Sequence, residues 1–129
     1  MPKTKTIAKL KQDVQKICNL YIRMRDKDQP CISCGRWTET PDAGHFFPTS
    51  THDGLRFDPD NIHSQCIRCN RFDEGHLIGY AINLKERIGQ ERYDALFKRA
   101  ADYKRNGYKW TRQELIELKQ KYATKIKEL

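Results

Sequence analysis

The sequence predicts an α+β chain, mainly helical, in which amphipathic helices at both ends flank a small cysteine-bearing centre. Three observations carry that expectation. Apolar residues recur every three or four positions at both ends, the middle is irregular and rich in Pro, Gly, Asp and Thr, and two Cys-x2-Cys pairs stand in it. A chain of 129 residues, 37% hydrophobic and 33% charged, buries one modest core and gains from a staple, so one unit is expected. It divides into a basic N-terminal helix over 1–29, the cysteine-bearing centre over 30–75 and a helical region over 76–129.

From Ile7 the residues Ile7, Leu10, Val14, Ile17, Tyr21 and Met24 make one face of a helix, and Pro30 stops it. Cys18 falls within this helix and reads as a small buried hydrophobe. Residues 31–64 read as loops and a short hairpin carrying the apolar pieces GHFF and GLRF. A short helix is expected from about Cys66 to about Phe72, with Gly75 as its punctuation, and another from Leu77 to Ile88, closed by Gly89. The stretch QERYDALFKRAADYKRNG predicts a helix ending before Gly107. Thr111 and Glu114 form a T-x-x-E capping box that opens a last helix with Leu115, Leu118, Tyr122, Ile126 and Leu129 on one face. Tyr80, Tyr93, Phe97, Tyr103 and Trp110 suit packing between these helices better than stacking on bases.

Cys31 and Cys34 form a first pair, which Gly35 lets turn, and Cys66 and Cys69 a second at i and i+3 on the first turn of the short helix. Four thiolates suit tetrahedral zinc, and the 31 residues between the pairs leave room for a hairpin that brings them together. Iron in a rubredoxin-like site is the nearest rival. A pair that starts a helix favours zinc in a treble-clef-like arrangement, and a closed set of four thiolates makes that zinc structural. No apolar run approaches a membrane span and no secretory signal opens the sequence, so a reducing, intracellular setting is expected and disulfides are not.

Charge is uneven. Residues 1–25 carry seven Lys and Arg against one Asp, residues 26–97 eight against twelve acids, and residues 98–129 ten against four. Basic arms around an acidic centre suit a site that holds a divalent cation against a polyanion. Asp42, His45, Asn61 and Asn70 are the candidate residues of that centre. A histidine on a strand beside oxygen donors can draw a proton from water while they hold the ion.

The segments DAGHF, LRFDPDNIHSQCIRCNRF and RDKDQPCISCG resemble the ββα-metal (HNH) nuclease finger, and specifically the NinG (Rap) recombination proteins of lambdoid phages. The likeness runs from about Tyr21 to the C-terminus and includes RIGQE. Members carry a further cysteine-bearing segment ahead of the first helix. The resemblance implies a zinc-stapled ββα-metal finger over residues 30–75 and a metal-dependent endonuclease that cuts branched DNA, such as Holliday junctions and D-loops, in phage recombination. It implies His45 as general base, Asn70 as a ligand of catalytic Mg²⁺ or Mn²⁺ and Asn61 as the brace of the loop. Gly44 stands where the family usually has a second ligand, and Asp42 is the nearest upstream oxygen donor.

Arg56, Arg68 and Arg71 are candidate DNA contacts, although an ion pair of Arg56 with Asp58 or Asp60 is an equal alternative. His63 reads as a brace of the hairpin, with an auxiliary metal ligand as the alternative, and His52 and His76 as surface residues. Two further readings stand beside the nuclease: a zinc-stapled DNA-binding adaptor that cuts nothing, and a sequence-specific homing or restriction nuclease. Two strands of a junction call for a homodimer, with phage recombination proteins as further partners in the host cytoplasm. The stripes on the first and last helices would form the dimer contact or bury against each other within one chain.

Overall fold

A computed structural model describes residues 4–74 and 76–129 of the chain. Gly75, expected as punctuation after the short helix, lies outside the described residues. The elements in order are α1 (Ile7–Arg25), β1 (Asp42–His45), a 3₁₀ turn (Asp53–Leu55), β2 (Ile62–Gln65), a π turn (Arg68–Phe72), α2 (Leu77–Ile88), α3 (Gln90–Asn106) and α4 (Arg112–Lys127). The fold is α+β and mainly helical, with a two-stranded sheet at its centre.

Thr6 caps α1 through its side-chain oxygen, which accepts from Lys9 N–H. The buried face of α1 is Leu10, Val14, Cys18 and Ile22, rotated from the expected stripe so that Met24 is exposed. Successive fourth residues won because α4 lies along α1 and continues the same core. Leu115 and Tyr122 of α4 join that α1 face, together with Phe57 and Ile62. The two terminal stripes therefore bury against each other within the chain and are not free to pair with a second copy. Thr111 and Glu114 make the predicted capping box, and α2 and α3 keep their expected limits at Ile88 and Asn106.

β1 and β2 pair antiparallel, with Gly44 opposite His63 and His45 opposite Ile62. GLRF is no strand: it falls on the 3₁₀ turn and the residues after it. The hairpin is pinned from both sides. At the end of α1, Arg25 donates to the carbonyls of Pro59 (2.9 Å) and Ile62 (2.8 Å), while Asp26 Oδ2 accepts from Ser64 N–H at 3.0 Å. From α2, the buried Tyr80 hydroxyl donates to Gly44 O at 2.7 Å. A second core lies on that side, built from Ile32, Phe46, Leu55, Tyr80, Leu84, Ile88, Leu96 and Ala100. The aromatics pack mostly against the loops: Tyr93 and Phe97, one turn apart on α3, have centroids 4.6 Å apart, Phe97 also meets Phe47 at 5.1 Å, and Trp110 meets Phe57 at 5.0 Å.

Candidate functional site

The cysteine pairs meet where the hairpin returns. Cys31 N–H bonds to Arg36 O and Gly35 N–H to Cys31 O, each at 2.9 Å, and Gly35 at φ 75° takes the left-handed conformation that such a turn needs. The second pair straddles the start of the π turn rather than an α-helix, and Cys69 N–H points at Cys66 Sγ, 3.4 Å away. All four sulfurs lie within 4.8 Å of one another, and Cys34 and Cys66 are 3.8 Å apart. Sulfurs held about 2.3 Å from a tetrahedral zinc stand about 3.8 Å from each other, so the cluster fits zinc with little adjustment. Burial raises the Cys31 thiol, but amide donors from Cys34, Cys66 and Ser33 outweigh it and bring it to about 7.

His76 was expected at the surface, yet it is half-buried with Nδ1 3.3 Å from Cys69 Sγ. No spacing rule of the sequence marks it, because the link runs through the unusual αL backbone of His76 at the start of α2. A thiolate only accepts, so against a metal-bound Cys69 this nitrogen would carry the proton and steady the ligand's charge.

His45, at the end of β1, holds its Nε2 2.9 Å from the carbonyl oxygen of Arg56. A carbonyl only accepts, so Nε2 carries the proton and Nδ1 keeps its lone pair. Burial lowers the His45 pKa from its ordinary value, with the Arg56 charge adding to it, and favours that neutral form. Asn61 is fully buried: its Oδ1 accepts from Phe47 N–H at 2.8 Å, and its Nδ2 donates to Phe47 O and Leu55 O. It ties the end of β1 to the 3₁₀ turn and so positions His45. His63 makes the expected brace, with Nδ1 3.4 Å from Tyr80 Oη.

A cavity of about 310 Å³ brings His45 and Asn70 together and adds Glu74, which the sequence reading did not single out. Asp42 is not among its walls. Strand alternation sends positions 42 and 45 to opposite faces, and Asp42 instead accepts from Arg71 at 2.9 and 2.8 Å and from Asn70 Nδ2 at 2.9 Å. Burial opposes its ionisation, but Arg71 and Asn70 hold its carboxyl below the ordinary carboxylate range. Arg71, expected at DNA, thus closes on Asp42, while Arg68 is exposed and 3.8 Å from Asp73. Arg56 pairs with Asp53 at 2.7 Å, not with Asp58 or Asp60, which face Arg99 and Arg92 of α3. Gly44 has a local reason: a Cβ there would lie 1.9 Å from Gln65 Oε1, on the face shared by Asp42.

Fold and site together define a small, mainly helical α+β protein built around a cluster of four cysteines whose spacing suits a metal ion, with a histidine on the adjoining hairpin. The family described as "Bacteriophage Lambda NinG protein" matches residues 2–129, and the chain belongs to it. It is 42% identical over 119 residues to Protein ninG of Escherichia phage 933W, covering 92% of this chain and 57% of that protein. The like-named proteins of Escherichia phage lambda (40%) and Salmonella phage P22 (42%) match over 119 residues as well, 92% of this chain and 56% of each. The chain thus spans just over half the length of these relatives. No solved structure matches it.

Proposed function

We propose that the chain is a metal-dependent endonuclease of the ββα-metal (HNH) type that cuts branched DNA, Holliday junctions and D-loops among its substrates. The observation that carries this reading is the shared cavity, in which a neutral histidine with a free lone pair stands beside an amide and a carboxylate, Asn70 and Glu74. Those oxygens suit Mg²⁺ or Mn²⁺, which when bound would polarise the scissile phosphate and offset charge on the leaving 3′-oxygen. His45 takes a proton from the attacking water at Nδ1, leaving a 5′-phosphate and a 3′-hydroxyl. Asn61 fixes the loop that orients it. Zinc on the four cysteines is structural and takes no part in the chemistry. A junction offers two strands, so two copies act on it.

A second reading, DNA binding without cleavage, is favoured by one contact. Asp42 is neutralised by Arg71 and so is a poor ligand for a cation as it stands. Cleavage of a labelled four-way junction and a matched linear duplex, with Mg²⁺, Mn²⁺ or no divalent ion, tests the two. The endonuclease cuts the junction in the presence of the ion, and His45→Ala abolishes cutting with zinc content and binding intact. Tight binding with no cutting under either ion would replace it with the non-cleaving reading.

A further inference from the structure

We propose that the cleft beside Trp37 binds an unpaired nucleobase of the DNA strand, stacked on the indole, with its phosphates held by the surrounding cations. The proposal rests on the endonuclease reading above and adds how a branch is told from plain duplex. Trp37 follows the first cysteine turn directly and is 60% exposed, a costly position for the largest apolar side chain unless something covers it. Among the described residues no ring packs on it.

The cleft has a volume of about 550 Å³ and apolar walls from Trp37, Pro41 and Ile67, with Arg23, Lys27 and Arg71 around them. A second cleft that Trp37 also lines adds Arg36 and Arg68. Arg23, Lys27 and Arg36 enter no ion pair among the described residues. The carboxylates nearby are mostly spoken for: Asp26 by Arg25 and Asp42 by Arg71, with Glu39 remaining. An aromatic face ringed by uncommitted cations is the chemistry that holds single-stranded nucleic acid. In intact duplex both faces of every base are already stacked, so only an unstacked base can use Trp37.

The position fits the reaction. Asn70 donates to Asp42, which lines this cleft, and itself lines the His45 cavity, so one wall separates the two. A base in the cleft and a nearby phosphate at His45 can belong to one strand.

The test uses the zinc-loaded 129-residue chain without Mg²⁺ or Mn²⁺. Of the two tryptophans, Trp110 is replaced by Phe so that emission reports Trp37 alone. Oligo(dT) is expected to quench that emission while blunt duplex of the same length leaves it unchanged. In the otherwise native chain, Trp37→Ala should weaken oligo(dT) and junction binding about tenfold, with duplex binding unchanged and Trp37→Phe retaining most of the affinity. Saturation by oligo(dT) with no change in emission, or equal affinity of Trp37→Ala, overturns the cleft even if the junction is still cut. Quenching without cleavage under either divalent ion upholds the cleft and removes the endonuclease reading instead.

Discussion

At His45 a backbone carbonyl fixes the location of one proton and so which ring nitrogen keeps its lone pair. No charged partner is required, and burial keeps the ring neutral. His63, two residues along the partner strand from Asn61, shows the same physics in a structural role. Desolvation comes first, the nearby Arg25 charge second, and together they push it down to about 3 from 6.5. A depressed folded pKa means that the neutral ring stabilises the fold fully above pH 6.5, and that this stability drains away as pH falls toward 3. Between pH 7.5 and 5.5 the loss is on the order of 1 kcal/mol. Urea unfolding at the two pH values, in excess zinc, should show the wild type losing that much more than His63→Gln. Equal losses would mean that the ring is solvated or protonated in the fold. Such details were not legible in the sequence, which ranks the four histidines by their neighbours in the chain but does not show their partners in space. What separates them is long-range: a carbonyl from Arg56, a hydroxyl from Tyr80, a sulfur from Cys69.

Among the elements, α2 is the one whose placement the site depends on. Its Tyr80 holds β1, its Asn83 donates to Ile32 O at 2.8 Å, and Gly79 faces the first cysteine pair so closely that a Cβ would meet Ser33 O at 2.2 Å. In an isolated helix Gly→Ala gains about 1 kcal/mol. Here a clash with backbone outweighs it, and Gly79→Ala should cost about 1–3 kcal/mol with weaker zinc retention, measured by urea unfolding and chelator competition. A stabilised variant would show that helix and turn are not in contact. Helix ends were readable because they rest on local chemistry: Thr111 with Glu114, Gly89, Gly107. The buried face of α1 was harder, since which of two overlapping apolar stripes turns inward depends on where α4 lies. β2 was hidden in NIHSQC, a run whose polar residues are buried by the hairpin and not by their own character.

For the whole molecule, the four cysteines draw the two ends of the irregular centre together, the turn after α1 and the π turn before α2. Structural zinc supplies about 10–16 kcal/mol, against a total stability of about 5–15 kcal/mol for a typical domain. The metal-free chain is therefore expected to unfold. Near-ultraviolet circular dichroism of chelated protein, or of Cys34→Ser, should lose its fixed aromatic signal. A signal left unchanged would assign the tie to the two hydrophobic cores. The cysteine cluster and the mainly helical character were plain from spacing and periodicity, whereas the split of His45 and Asp42 between two cavities was not. Both stand on one four-residue strand, and only its pleat sends them apart.

The pairing of α1 with α4 also has a bearing on how the protein is made. The helix α1 leaves the ribosome with Leu10, Val14, Cys18 and Ile22 uncovered, and of the residues that complete their core Phe57 and Ile62 come first, while Leu115 and Tyr122 follow about ninety residues after α1. At bacterial elongation speeds that is a wait on the order of ten seconds. During it the nascent chain presents a basic, amphipathic segment with an unfilled apolar side, the kind of surface that chaperones hold, and the contact that completes the core is the one most distant along the chain.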